Sequence, residues 1–404
     1  MSHWRVMRLY YSDPSRLAFE ARVQRCEAAP PAHPAAFSVW LSQSAFYPTT
    51  GGQPFDTGRL GEARVLDVYE DDAGEVVHVV DRRLEPGTEV TGAVDAARRL
   101  DHRQQHSGQH VLSAAFVRTA NVATVSFHLG GTVSTIDLAR EVTPAEISAA
   151  EDAANAVILE HRPVTIRFVS GEEAAALPLR KEPKRTGELR IIDIAGWDVS
   201  ACGGTHVAHT GEIGLIAVRG WERFKGGTRL EFVCGGRTLT TFRELRDTVT
   251  TASRLLSVLP HELSGAIGRL QEEARDMRRS LRDLQAELAG FRAAALAASA
   301  ETIGAQRAVL AVVPGADGNA LKALAVAIVA QPGRAVVLVT DARPALVVVA
   351  RSSDVALDAS ALFRTLAGRF GGKGGGRPDL AQGGGLDAPA DAILDAARGA
   401  IAPA

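Results

Sequence analysis

Short apolar runs with polar residues at alternate positions occupy the first part of the chain. They lie at residues 37–41, 63–68 and 75–80, and Gly and Pro separate them. Alternation with a period of two is typical of half-buried β-strands, and Gly and Pro mark the turns between them. Segment 1–95 is therefore predicted to form a small β-barrel.

The next segment, residues 96–236, mixes helical and strand patterns. Helices are predicted around residues 106–116 and over 144–160, with strands at 123–127 and 134–138 and further strands around residue 202. Helices and strands in irregular order are typical of an α+β domain.

A heptad pattern dominates segment 237–302, which we expect to be helical and coiled-coil-like. Apolar side chains recur four and three residues apart at Leu263, Ile267, Leu270, Ala274, Met277, Leu281, Leu284, Leu288 and Phe291. Another helix must cover such a seam. Residues 242–258 could fold back as the cover, or a second copy of the chain could supply it, so both a monomer and a homodimer are open.

Strand and helix patterns alternate in the last segment, residues 303–404. Apolar strands are predicted at 309–313, 336–339 and 346–349, with helical stretches between them. This alternation predicts a separate small α/β domain. The fold class is therefore a multidomain α+β protein.

Composition sets the broad class of the protein. The chain has 404 residues, 46% of them hydrophobic, and a formal net charge of −2, which suits several domains with apolar cores. Any contact with RNA must then come from local clusters of cations, such as Arg275, Arg278, Arg279 and Arg282.

The sequence also bears on location. No apolar stretch is long enough to span a membrane, and the N-terminal residues lack the pattern of a signal peptide. Few cysteines suit a reducing compartment, with Cys26 and Cys234 as free thiols. We expect a cytoplasmic protein that does not contact membranes.

Two short motifs together supply four ligands of the type that zinc prefers. His106 and His110 are one helical turn apart and so share a helix face, and Cys202-Gly-Gly-Thr-His206 adds a thiolate and a third imidazole. An isolated histidine pair would more often be buried core, but the second motif favours Zn²⁺. His102 lies on the same helix face and is expected to orient a ligand or contact substrate.

A glycine-rich stretch, residues 371–385, lies in the last segment. It lacks the order of glycines and Lys found in a P-loop, so we expect no use of nucleoside triphosphates. A flexible backbone carrying Lys373 and Arg377 can present amides and cations to RNA phosphates, which we favour over a spacer role.

The chain resembles the alanyl-tRNA synthetases in the order of four elements. These are Phe-Tyr-Pro-Thr-Thr-Gly-Gly-Gln-Pro-Phe-Asp-Thr-Gly at 46–58, the His106/His110 tetrad, the Cys202 motif and the glycine run at 371–385. Only 45 residues precede the first element, too few for an aminoacylation domain. We therefore expect a freestanding alanyl-tRNA editing protein of the long type, with a zinc-containing editing domain at 96–236 and a DHHA1-type RNA-binding domain at 303–404.

This resemblance implies trans-editing: an aminoacyl-tRNA deacylase that hydrolyses the ester of tRNA(Ala) mischarged with serine, and also with glycine. Thr124 matches the family's serine-sensing threonine, although a shift of alignment would give that role to Ser126. Gly51, Gly52 and Gln53 match the glycine-rich element near the acceptor end and are assigned to the catalytic site. His106, His110, Cys202 and His206 are assigned to the metal, and Lys373 and Arg377 to RNA.

The role of the zinc stays open at this level. Four protein ligands normally mark a closed structural site, whereas a hydrolytic site keeps one position for water. Either one ligand, such as His206, is displaced so that the ion activates water, or the ion positions the tRNA terminus. A non-catalytic, zinc-stapled tRNA-binding module or regulator is the alternative function; a zinc amidase would leave the RNA-type domain without a task.

Overall fold

The computed structural model describes residues 6–181, 187–304 and 306–402. The chain divides into two compact units, Met1–Ala252 and Ser253–Ala404. The four segments read from the sequence are a finer division than these units, and their boundaries stay a prediction.

A closed β-barrel opens the first unit, which confirms the predicted barrel. Its strands close in the order β2-β3-β7-β6-β5-β8, and β1 pairs in parallel with β4. The bounds are β1 (Met7–Arg8), α1 (Leu9–Ser12), β2 (Ala18–Ala28), β3 (Phe37–Leu41), β4 (Gln43–Ser44), β5 (Gly58–Leu60), β6 (Ala63–Glu70), β7 (Val76–Val80) and β8 (Glu89–Val94). Alternate side chains of β2, including Phe19 and Val23, enter the barrel core, as the period of two predicts.

The central helix α2 (Ala96–Ala120) carries the first histidine pair. The Asp95 side chain caps its first turn by accepting from the backbone N–H groups of Ala97 and Arg98. Asn121 ends it in the left-handed conformation, with φ of 52°. The middle of α2 is buried on nearly every face, so His106 and His110 are held on a rigid support.

The rest of the first unit is α+β, as predicted. Antiparallel sheets run in the orders β14-β15-β10-β9 and β11-β12-β13. Helices α2 and α3 contribute to one apolar core with strands of both sheets. The elements are β9 (Thr124–Leu129), β10 (Ser134–Leu138), α3 (Pro144–Leu159), β11 (Val164–Val169), α4 (Gly171–Ala175), β12 (Leu189–Ile194), β13 (Asp198–Ala201), a 3-10 helix (Thr210–Ile213), β14 (Ile216–Phe224) and β15 (Gly227–Cys234).

Two long helices follow, α5 (Gly236–Leu256) and α6 (Leu263–Ala298), with a 3-10 turn (Pro260–Glu262) between them. The predicted helix over the heptads is confirmed. A coiled coil is not seen, because most apolar heptad positions of α6 are exposed. The last turns of α6 are anchored, where Ala293 and Ala297 pack in a core of the second unit.

The remainder of the second unit is a mixed sheet in the order β16-β17-β18-β19-β21-β20, which confirms the predicted small α/β domain. Strands β17 and β18 are parallel neighbours, and the chain between them forms a crossover helix. The other strand pairs of this sheet are antiparallel. The bounds are β16 (Glu301–Ile303), β17 (Gln306–Val312), α7 (Gly318–Val329), β18 (Arg334–Val339), β19 (Ala345–Arg351), α8 (Ala359–Phe370), β20 (Lys373–Arg377), β21 (Leu380–Leu386) and α9 (Ala390–Ile401).

The glycine run at 371–385 is not the flexible backbone that the sequence predicts. It forms the edge hairpin of β20 and β21, in which Lys373 pairs with Gly384 and Arg377 with Leu380. Side chains at Gly374 or Gly383 would collide with Phe363 of α8 and with the paired strand. The glycines therefore provide space for close packing, while Lys373 and Arg377 stay exposed.

Among the described residues, no helix combines the length and the apolar content needed to cross a membrane. Cys26 and Cys234 are buried free thiols, as predicted.

Candidate functional site

Four side chains from distant parts of the first unit converge on one point. His106 and His110 project from α2, and Cys202 and His206 come from the loop after β13; one donor atom of each lies within 4.8 Å of the others. The Cys202 Sγ lies 3.3 Å from His106 Nε2 and 3.4 Å from His206 Nε2. The two motifs, far apart in sequence, thus meet as predicted, and their donors could hold a metal ion.

Each imidazole has its Nδ1 engaged by a neighbouring side chain, on the side away from the thiol. The pairs are His106 with Gln53 Oε1 at 2.8 Å, His110 with Asp198 Oδ2 at 2.9 Å, and His206 with Ser107 Oγ at 3.3 Å. Such partners fix the ring orientation and leave Nε2 as the ligand atom. A centre of three imidazole nitrogens and one thiolate fits the donors that zinc takes in tetrahedral sites.

Close approach, rather than an unusual backbone conformation, explains the glycine at position 204. Neither Gly203 nor Gly204 is in the left-handed region. A Cβ on Gly204 would collide with the His106 ring, whereas one on Gly203 would lie 3.7 Å from the nearest atom, Tyr11 Oη. The Gly204 N–H also donates to Cys202 Sγ at 3.4 Å.

The electrostatics of the cluster favour a thiolate. Burial opposes ionisation of Cys202, but the neighbouring His106 and His206 hold the pKa of the thiol well below its usual value. Burial lowers the pKa of His206 to about 3, although the neighbouring Cys202 acts to raise it. Thiolates and neutral imidazoles are the forms that bind metal ions.

His110 is tied to a buried acidic residue that the sequence analysis missed, Asp198. Burial opposes the charge on Asp198, yet His110 and Arg180 bring the pKa of this carboxyl down to about 2. Burial also opposes protonation of His110, but the hydrogen bonds to Asp198 and Cys202 raise its pKa to about 9. Arg180 donates to the other carboxylate oxygen at 2.7 Å, which holds Asp198 in place. The sequence signal that could have revealed Asp198 is its position, four residues before Cys202.

A cavity of about 590 Å³ opens beside the cluster. Its wall includes His106, His110 and Cys202 as well as Gly51, Thr124 and Ser126. Thr124 is 9% exposed, and its Oγ1 donates to Ser113 Oγ at 2.8 Å. Ser126 is exposed and donates to Asp137 at 2.6 Å. Both candidate sensors therefore reach the cavity, Thr124 from a buried position beside α2.

Gln53, assigned to the catalytic site from the sequence, lies behind the donor cluster and is 1% exposed. Its amide accepts from Thr205 N at 3.1 Å and donates to Thr205 Oγ1 at 2.9 Å, while it also contacts His106. Gln53 thus links the 46–58 element to both motifs of the donor cluster. Gly52 packs against Phe127 instead of lining the cavity.

His102 is not placed as the sequence suggested. It is buried with its Nδ1 3.7 Å from Asp56, outside both the donor cluster and the cavity wall. Asp56 in turn forms a buried ion pair with Arg99. One helical turn before His106, α2 packs against the 46–58 element. His102 therefore contacts this element through Asp56 and not the donor cluster.

Arg190 on β12 is a further residue that the sequence analysis missed. Its Nη1 donates to the backbone oxygens of Cys202 at 2.7 Å and Gly204 at 3.0 Å, which fixes the loop that carries the thiol. Arg190 also lines the cavity. Lys373 and Arg377, the predicted RNA contacts, belong to the second unit.

Comparison with known protein families identifies two domains. Residues 189–231 match the family described as the threonyl and alanyl tRNA synthetase second additional domain, tRNA_SAD. Residues 305–402 match the DHHA1 domain. The first match includes Cys202 and His206, and the second includes the β20–β21 hairpin.

Whole proteins are also similar to this chain. The alanine–tRNA ligase of Pyrococcus abyssi is 33% identical over 396 residues, which cover 93% of this chain and 41% of that protein. The alanine–tRNA ligase of Natronomonas pharaonis is 34% identical over 405 residues, 96% of this chain and 43% of that protein. The chain thus spans about two-fifths of these ligases.

A shorter relative matches part of the chain. The alanyl-tRNA editing protein Aarsd1-B of Xenopus laevis is 36% identical over 257 residues, 61% of this chain and 62% of that protein. The resemblance read from the sequence is thereby confirmed: the chain is similar to an alanyl-tRNA editing protein and to alanine–tRNA ligases.

Proposed function

We propose that this protein is a trans-editing hydrolase that deacylates tRNA(Ala) carrying serine, and also glycine, at a zinc-containing site. The observation that carries the proposal is the meeting of His106, His110, Cys202 and His206 at the wall of a cavity large enough for an aminoacyl group. The relatives named for alanyl-tRNA editing support tRNA(Ala) as the carrier.

To spare correctly charged alanyl-tRNA, the site needs a polar group that hydrogen-bonds the seryl hydroxyl and stays unsatisfied when alanine is bound. Thr124 uses its hydroxyl proton on Ser113, so the oxygen lone pairs at the cavity wall are left to accept the seryl hydroxyl. Alanine makes no such bond and leaves these lone pairs without a donor, which costs about 1–3 kcal/mol. Glycine also lacks the hydroxyl, so its acceptance does not depend on Thr124.

A zinc ion held by the four donors would supply Lewis-acid polarisation at the cavity wall. The residues of the chain do the positioning. Gln53, Asp198 and Ser107 orient the imidazoles, and Arg190 fixes the Cys202 loop. The ester end of the tRNA is thus expected to meet a rigid site.

The number of donors favours one alternative function. Four protein ligands resemble a closed structural site, which suits a tRNA-binding module or regulator without catalysis. A deacylation assay separates the two functions. Purified protein is added to seryl-, glycyl- and alanyl-tRNA(Ala), and loss of the ester bond is followed with and without a chelator. Chelator-sensitive release of serine supports the hydrolase; tRNA binding without release supports the alternative.

We expect Cys202→Ala to lose zinc and seryl-tRNA deacylation together, because removing a ligand from a four-donor set weakens binding and disturbs the wall of the cavity. Metal analysis and turnover are measured on the same preparation. Cys26→Ala is the matched control, since Cys26 lies in the barrel core. Retained zinc with unchanged turnover in Cys202→Ala would contradict the assignment.

A further inference from the structure

Phe168 is an exposed aromatic residue at the wall of the cavity beside the donor cluster. Its side chain, near the end of β11, is 48% exposed, and it lines the same cavity as His106 and Cys202. A single exposed phenylalanine elsewhere on a protein surface needs no explanation. At the wall of this cavity, however, the ring offers an aromatic face to a bound molecule.

The register of the sheet places Phe168 in line with the donor cluster. Phe168 of β11 lies directly opposite Arg190 of β12. On the other side of β12, Ile191 is opposite Ala201, and the next residue, Cys202, donates its backbone N–H to the Arg190 carbonyl at 3.0 Å. Directly opposite residues of antiparallel strands have Cβ atoms about 4.5–5.5 Å apart. Phe168, Arg190 and Cys202 therefore form a row across the sheet that is roughly 10 Å long.

The packing of neighbouring residues shows which way this row faces. Ile166, two residues before Phe168, and Ile192, two residues after Arg190, both pack in the apolar core that includes Val111 of α2. Side chains two residues apart in a strand lie on the same face of the sheet. Phe168 and Arg190 are thus on the face that is turned toward α2, as the cavity and the donor cluster are.

The order of the row matches the parts of a nucleoside that carries an aminoacyl ester. If the aminoacyl group lies at the donor cluster beside Cys202, the ribose that bears it lies next to Arg190. The base on the far side of that ribose then reaches Phe168. Exposed aromatic rings next to cations are the usual platform on which proteins stack the bases of single-stranded RNA.

The charges of the wall favour RNA over an apolar occupant. Arg180, Lys181 and Arg190 line the cavity together with Glu70 and Glu188. Glu70 is already bound to an arginine of the barrel at 2.6 Å, which reduces its effect on a bound anion. Lys181 is exposed, and its Nζ donates to the backbone oxygen of a second exposed residue of the wall at 3.2 Å. The cations and the exposed ring together suit the phosphate and the base of an RNA end.

We propose that Phe168 stacks on the base of the 3′-terminal nucleoside of aminoacyl-tRNA, which is adenosine, and so holds the ester beside the donor cluster. This inference rests on the proposed function and deepens it. It assigns a residue to the nucleoside, whereas the donor cluster and Thr124 act on the aminoacyl group.

A stable analogue tests the stacking without catalysis. Serine is joined by an amide to 3′-amino-3′-deoxyadenosine, and its Kd for the full chain is measured by calorimetry. Phe168→Ala should raise this Kd about tenfold, because one base–aromatic contact is lost, and Phe168→Trp should restore it. Serinamide, which has no nucleoside, should bind the wild-type chain and Phe168→Ala equally.

Trp221→Ala is the matched control for the analogue. Trp221 on β14 is 50% exposed and is not part of the cavity wall. The Kd of the analogue should be unchanged in this variant. An equal Kd in Phe168→Ala and the wild type, an equal loss in both alanine variants, or no binding of the analogue to the wild type would overturn the proposal.

Hydrolysis separates this inference from the proposed function. Phe168→Ala should lower kcat/KM for seryl-tRNA about tenfold and leave hydrolysis of seryl methyl ester, which has no base, unchanged. Equal turnover of seryl-tRNA by the wild type and Phe168→Ala would overturn the nucleoside site and leave the deacylase standing. Binding of the analogue that depends on Phe168, with no release of serine by the wild type, would overturn the deacylase and leave the nucleoside site standing.

Discussion

At the scale of single residues, the donor cluster depends on side chains that form hydrogen bonds with the four donors. His110 is oriented by Asp198, whose carboxylate is held by Arg180 and by Ser200 Oγ at 2.9 Å. The imidazole would turn more freely without this carboxylate, and its Nε2 would be a weaker ligand. Asp198 thus supports the donor cluster although it is not one of the four donors.

We expect Asp198→Asn to weaken zinc affinity by about 10–100-fold, since the amide cannot match the charge that supports His110. Affinity is measured by competition with a chromophoric chelator. Asp193→Asn is the control, because Asp193 pairs with Arg167 at the surface of the same sheet. An unchanged affinity in Asp198→Asn would remove the supporting role.

The choice between Thr124 and Ser126 is also a question of single residues. Thr124→Val keeps the shape of the wall and removes the oxygen, so we expect about a tenfold loss of kcat/KM for seryl-tRNA with glycyl-tRNA little changed, as one lost hydrogen bond implies. Ser126→Ala, the second candidate, should leave the ratio of the two substrates unchanged because its hydroxyl is committed to Asp137. The opposite pattern would transfer the sensing role to Ser126.

At the scale of elements, the Cys202 loop and helix α2 must approach closely for the donors to meet. At position 204 the loop lies so close to the His106 side chain that a Cβ would overlap the imidazole ring, so only glycine fits. The loop is otherwise tied down by Arg190 and by the Gln53–Thr205 contacts.

Gly204→Ala should therefore displace His106 and lower bound zinc and deacylation together. Gly203→Ala is a matched control one residue away, because its Cβ meets no atom closer than 3.7 Å. Metal content and circular dichroism distinguish loss of the site from loss of the fold. Equal zinc content in both variants would contradict this prediction, because it would show that the loop can move away from α2 without loss of metal binding.

The observed conformation of β20 differs from the one that its sequence predicts. Its glycines predicted a flexible segment, but they pair regularly with β21 because Phe363 and the neighbouring strand occupy the space of their missing side chains. The result is an exposed edge that fixes the spacing of Lys373 and Arg377.

At the scale of the whole molecule, the second unit is expected to contribute to tRNA binding rather than to chemistry. Substituting Lys373 and Arg377 together by Ala should raise KM for tRNA with kcat little changed. It should also reduce the slope of log Kd against log salt by about 1–2, since each phosphate contact releases counterions. The control replaces Arg307 and Lys322, exposed cations of the same unit. Equal effects of the two pairs would show a non-specific loss of charge.

The sequence by itself determined most element types, the barrel, the heptad helix and the four donors, because each depends on local periodicity or on short motifs. It also determined the relationship to alanyl-tRNA editing proteins, through the order of those motifs. Asp198, Arg190 and the true place of His102 could not be predicted, since each takes its role from a contact with a residue distant in sequence. Only the tertiary structure decided these contacts, because packing sets which side chains face the cluster and which face the barrel.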